Sequence, residues 1–192
     1  MADGIVGPVT LGAMFGPVAP AVSPTFDSTP WFEEAMRLMG LKENKGKGKS
    51  NQAIEDLAKT VKIAYGDDGI PWCGLFVGHC VAAALPSEPV PTALLMARSW
   101  ERFGDPCTPQ RGAVMVFWRE SKTSGLGHVG FNAGEDKAMY HILGGNQSDM
   151  VSVAGVPKNR FLTARWPRTG LAPAGSALFA DAALVSVSTK ED

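Results

Sequence analysis

The stretch Asp67-Asp68-Gly69-Ile70-Pro71-Trp72-Cys73-Gly74-Leu75-Phe76-Val77-Gly78-His79-Cys80-Val81-Ala82-Ala83-Ala84-Leu85 decides how the rest of the chain is read. A Gly/Asp/Pro turn runs into an apolar segment in which Phe76, Val77, Cys80, Val81 and Ala84 recur at helical spacing, which predicts a buried helix. Pro71 suits the first helical position, where a missing N–H costs nothing. Cys73 then lies in the first turn. The N–H groups there lack intrahelical partners and the helix dipole is positive, and both favour thiolate over thiol. Two readings of Cys73 stay open: an activated nucleophile, or a small buried hydrophobe, the common fate of a free cysteine.

On the N-terminal side, Thr29 is a fair cap with Pro30 at the first helical position. Trp31, Ala35, Leu38 and Met39 follow as an apolar stripe that ends at Gly40. Residues 42–49 read as a basic loop, either solvated or set to touch an anionic polymer. Ser50 or Asn51 can cap a short helix through Ile54, Leu57, Ala58 and Val61. On the C-terminal side, 92–103 reads as a helix stopped by Gly104, and 105–109 as a loop. From Arg111 the pattern changes to strands: 113–118, 128–133, a hairpin turn at 134–136, 138–143, a tight connection at 144–149, then 150–153 and 161–166 to complete a meander. Helices first and consecutive antiparallel strands after them make the class α+β, with N-terminal helices on a sheet of about five strands.

The 192 residues, 45% apolar, suffice for one core with tails. Pro8, Pro17, Pro20 and Pro24 forbid a long helix in 1–27, which reads as an extended linker; 28–168 is the folded domain, and 169–192 an Ala/Gly/Ser-rich tail. A net charge of −1 with no long basic run gives no reason to expect a nucleic-acid partner. Three cysteines do not make a disulfide framework. No stretch resembles a signal peptide and none is apolar for long enough to span a bilayer. Membrane insertion is therefore not expected, and a target outside the cytoplasm would need separate delivery. A monomer is expected.

A cysteine nucleophile needs a base to take and return its proton, and the base needs a third group to orient it. Three histidines are available. His79 is six residues beyond Cys73; at about 100° per residue it points away and is expected to be partly exposed. His128 begins an apolar strand after the Gly/Ser loop 121–127, a place from which it can reach over a helix start. His141, on the return strand, is expected close to His128, as the orienting group or as a satisfied structural histidine. Asn146 is the other orienting candidate, since an amide oxygen can accept an imidazole N–H; it is equally a residue suited to the turn itself. The backbone N–H of Cys73 is the natural first donor to an oxyanion. There is no His-Glu-x-x-His and no Cys-x-x-Cys, and Cys73 and Cys80 lie roughly 10 Å apart along a helix, too far to share a metal. Cys80 reads as core and Cys107 as a loop thiol. Neither a metal nor a nucleotide cofactor is expected.

Four motifs stand in order: Trp72-Cys73-x-x-Phe76-Val77, Gly112-Ala113-Val114-x-Val116-Phe117, Gly127-His128-Val129-Gly130-Phe131, and Leu143-Gly144-Gly145-Asn146-Gln147-Ser148-Asp149. Together with Pro30-Trp31 and Ala97-Arg98-Ser99-Trp100, this set resembles the NlpC-type and CHAP-type cysteine peptidases and amidases, and more closely a small phage-borne branch of them. The resemblance covers roughly residues 28–168. It implies a papain-like α+β fold and hydrolysis of an amide bond in bacterial peptidoglycan, by an endolysin, a tail-associated lysin or an antibacterial effector. Such a protein is made in the cytoplasm and reaches the wall through a holin, a virion or a secretion system. By position, the resemblance implies Cys73 as nucleophile and His128 as general base. For the third group it implies Asn146 (CHAP-type) ahead of His141 (NlpC-type), and Tyr65 matches a possible second oxyanion donor. CHAP-type enzymes often carry a Glu where this chain has Gly144. Residues 3–10, Asp-Gly-Ile-Val-Gly-Pro-Val-Thr, resemble the end of a small peptidoglycan-binding module.

Overall fold

The computed structural model describes residues 29–44, 51–66 and 70–171. The linker with its module-like segment, most of the basic loop and nearly all of the C-terminal tail lie outside the described residues.

Three helices precede a six-stranded sheet, so the α+β class holds. Helix α1 (Pro30–Arg37) starts where the sequence places it: the Thr29 carbonyl accepts from the N–H groups of Phe32 and Glu33, and the chain reverses at Gly40 with φ +82°. It buries Trp31, Phe32 and Ala35. Helix α2 (Gln52–Thr60) is capped by the Asn51 side chain, which accepts from Ala53 N–H at 2.9 Å, and buries Ile54, Leu57 and Ala58. Helix α3 (Cys73–Ala84) is buried from Cys73 to Val81, as a helix whose only polar side chain is His79 must be. It begins two residues beyond Pro71: Trp72 is the cap, and its carbonyl takes the first intrahelical bond, from Phe76 N–H at 2.9 Å. Cys73 is therefore the first helical residue.

The strands are β1 (Asp105–Pro106), β2 (Val114–Trp118), β3 (Gly127–Glu135), β4 (Met139–Gly144), β5 (Ser152–Pro157) and β6 (Phe161–Trp166), in the order β1-β6-β2-β3-β4-β5. Two expectations are corrected. The sheet has six strands, because the two-residue segment read as loop pairs with β6 (Asp105↔Trp166, Pro106↔Arg165); an edge tolerates a proline that a central strand would not. The chain does not finish as a simple meander, because β6 returns to the free side of β2 (Val114↔Arg165, Met115↔Ala164). That return leaves β2 internal, and Val114–Phe117 are all buried.

The segment expected to be helical over 92–103 is turns followed by a 3-10 segment, Ala97–Arg102. The Leu94 carbonyl, which a helix would give to the N–H of residue 98, instead accepts from the Trp100 indole at 2.9 Å. It also lies so close to α3 that a Cβ on Gly74 would stand 2.0 Å from it. Among the described residues, no helix is long and apolar enough to cross a membrane.

Candidate functional site

Cys73 opens α3 with 5% of its surface exposed. Burial alone pushes its thiol up. The hydrogen bond and charge of His128, with the backbone N–H groups of Val129 and Gly74, outweigh that and hold Cys73 below the usual thiol value of 9.0. By contrast, Cys80, seven residues on, is pushed well above the ordinary range by burial, and burial also raises Cys107. The three thiols are thus chemically distinct.

His128 is buried on β3, opposite Phe117 of β2. Its Nε2 lies 3.0 Å from Oε1 of Gln147, a side chain only 1% exposed. The other end of that amide fixes the proton positions. Gln147 Nε2 lies within hydrogen-bond distance of the carbonyls of Ser152 (2.5 Å), Ile142 (3.2 Å) and Gly144 (3.3 Å). Carbonyls only accept, so the amide nitrogen must face them and Oε1 must face the ring. An amide oxygen also only accepts, so His128 Nε2 carries a proton. Nδ1 is the nitrogen left for the Cys73 thiol.

Sequence reasoning named Asn146 for the place that Gln147 fills. Asn146 takes φ +57°, the left-handed conformation that Asn tolerates better than most residues, and so belongs to the turn itself. The turn is closed by Gln147 N–H to the Met150 carbonyl at 3.0 Å, and the longer Gln side chain spans from there to the ring. A residue explained by its turn geometry was one available sign that its neighbour did the work. Both glycines before it leave room for close packing. A Cβ on Gly144 would lie 3.1 Å from both Gln147 Oε1 and His128 Nε2, so a side chain there would crowd this pair. A Cβ on Gly145 would lie 2.7 Å from Phe76 Cβ and from the Trp72 ring. The turn therefore lies against the first turn of α3.

Two expectations about histidines are corrected. His141 is not beside His128. It pairs with Gly134 at the other end of the hairpin, six strand residues away or roughly 20 Å, and its Nε2 is 3.1 Å from Asp136 Oδ2. A bulge between Asn132 and Gly134 shifts the register of this hairpin. His79 is buried, not exposed: its Nδ1 is 2.9 Å from Thr60 Oγ1 and its Nε2 2.9 Å from Glu34 Oε1. It ties α3 to α2 and α1. Tyr65 donates its hydroxyl to the Ile70 carbonyl at 2.7 Å, three residues before Cys73. The Trp72 indole donates to Glu43 Oε2 at 3.1 Å. Glu43 N–H donates to the Asp149 carbonyl and Val151 N–H to the Leu41 carbonyl, which stitches the chain after α1 to the turn carrying Gln147.

Cys73, His128 and Gln147 thus stand in the order thiol, imidazole, amide, each within reach of the next. Such a row can pass a proton from sulfur to Nδ1 while Nε2 stays fixed. Comparisons with protein-family models, curated proteins and solved structures found no match.

Proposed function

We propose that this domain is a papain-like cysteine hydrolase that cleaves an amide bond of bacterial peptidoglycan. The Cys73 thiolate attacks the carbonyl carbon and the N–H of Cys73 receives the developing oxyanion. His128 passes the proton it took from sulfur to the leaving amine, and water then resolves the acyl-enzyme with His128 as base. Gln147 is a positioning residue acting through His128.

The observation that carries the reading is the Gln147–His128 hydrogen bond beside a thiol held below its ordinary pKa. The four motifs favour the wall as substrate, as a phage endolysin, a tail-associated lysin or a secreted effector. The test is digestion of purified cell walls by the protein and by Cys73→Ala, read by mass spectrometry of the released fragments. New amino and carboxyl termini with the wild type alone are the expected result, and wall cleavage retained in Cys73→Ala refutes the assignment.

One observation favours a second reading, a non-catalytic wall-binding or virion protein of the same fold: Cys73 is only 5% exposed. A binder would sediment with walls and leave them intact.

A further inference from the structure

The segment between α3 and β1 touches both sides of the candidate site. Its Leu94 carbonyl packs on Gly74, next to Cys73, and the stem of Arg98 packs on Gly127, next to His128, where a Cβ would come within 2.9 Å of Arg98 Cδ. The same segment walls a groove of about 720 Å3 that runs from Pro89 past Met96 and Arg102 to Arg168. That volume suits a short peptide.

Three guanidinium groups line this groove, Arg98, Arg102 and Arg168, against the single carboxylate of Glu101. Two of the three are engaged. Arg98 pairs with Glu101 and donates to the Lys122 carbonyl, and Arg168 donates to Asp105 Oδ1 and the Gly104 carbonyl. Arg102 is exposed and, among the described residues, its guanidinium has no hydrogen bond or ion pair. A groove with an excess of positive charge and one uncommitted guanidinium fits a carboxylate, which Arg can hold through two parallel N–H donors.

Resting on the hydrolase reading, we propose that this groove is a substrate subsite and that Arg102 selects peptides bearing a free carboxylate. The stem peptides of the wall carry such carboxylates, and in some walls they are amidated. The subsite therefore discriminates between the two forms.

The test uses the full chain and two soluble stem peptides, one with free carboxylates and one with them amidated. Binding is measured by calorimetry on the Cys73→Ala protein and cleavage on the unaltered protein. The free-acid peptide is expected to bind more tightly than the amide. Arg102→Ala should weaken the free acid about fivefold and leave the amide unchanged, raising KM without lowering kcat. Arg102→Lys should restore part of the loss, because it keeps the charge but not the fork. Equal binding of the two peptides, or an Arg102→Ala effect that is the same for both, overturns the subsite. Arg102-dependent binding without cleavage would uphold the subsite and sink the hydrolase reading instead.

Discussion

Gln147 holds His128 with a neutral amide, and this has consequences that a carboxylate would not share. Oε1 accepts from Nε2 without adding charge, so the imidazolium gains little help from this side and leans on the thiolate. Gln147→Glu would place a negative charge there, raise the imidazole pKa and move the alkaline limb of the pH–rate profile upward. Gln147→Ala is expected to lower kcat by about a hundredfold with little change in KM, because the ring loses its orientation while the groove is untouched. Gly144→Ala should act in the same direction and more weakly, by crowding the pair. Cys73 and His128 were legible as candidates from their places, one opening an apolar helix and the other opening an apolar strand. Gln147 was not, since Asn and Gln share the same chemistry and only the backbone angle at Asn146 separates turn-former from partner.

At the scale of elements, the site depends on α3 being gripped on two sides. His79, wedged between Thr60 and Glu34, joins the three helices. Glu34 is held down at about 2, first by its hydrogen bond to Arg37 and then by His79, against burial, which raises it. Its folded pKa lies below the ordinary 4.5, so the stability it contributes is present above that value and lost as pH falls toward 2. Urea denaturation of the protein and of Glu34→Gln should show a stability gap at pH 6 that closes by pH 2. On the other side, Gly74 admits the Leu94 backbone. Gly74→Ala should cost about 1–3 kcal/mol of unfolding free energy, measured the same way. Helix α2 was legible because capping and apolar spacing agree, and α1 because Pro30 opens an apolar stripe, although the expected Thr29 cap makes no side-chain hydrogen bond. The 92–103 segment was misread because its composition suits a helix, while the Trp100 indole and the close packing on α3 claim the Leu94 carbonyl that the helix would need.

Across the whole molecule, the last described residues close the domain. The Glu88 carboxylate accepts both the backbone N–H and the hydroxyl of Thr169, at 2.7 and 2.8 Å, joining the loop after α3 to the end of the chain's path along the sheet. Trp31 packs edge-on against Trp166 with ring centroids 5.1 Å apart, and its indole donates to Gly112 at 2.8 Å, so α1 closes on β6 and on the start of β2. Glu88→Ala leaves the Thr169 groups without this acceptor and should lower stability by about 1–3 kcal/mol, read as a lower denaturation midpoint. The α+β class was legible because helical and alternating patterns occupy separate halves of the sequence. The return of β6 to β2 was not, because local pattern says which residues form a strand and nothing about which edge it joins.

The claim beneath all of this is that the imidazole of His128 turns a buried thiol into a thiolate. The direct measurement is the pH dependence of Cys73 alkylation by iodoacetamide, followed by intact-protein and peptide mass spectrometry, in the protein and in His128→Ala. The protein should alkylate at Cys73 well below pH 9 and ahead of Cys80 and Cys107. In His128→Ala the midpoint should rise, because burial is then opposed only by the backbone N–H groups of Val129 and Gly74. Equal alkylation of the three cysteines, or a Cys73 midpoint that His128→Ala leaves in place, would contradict the account.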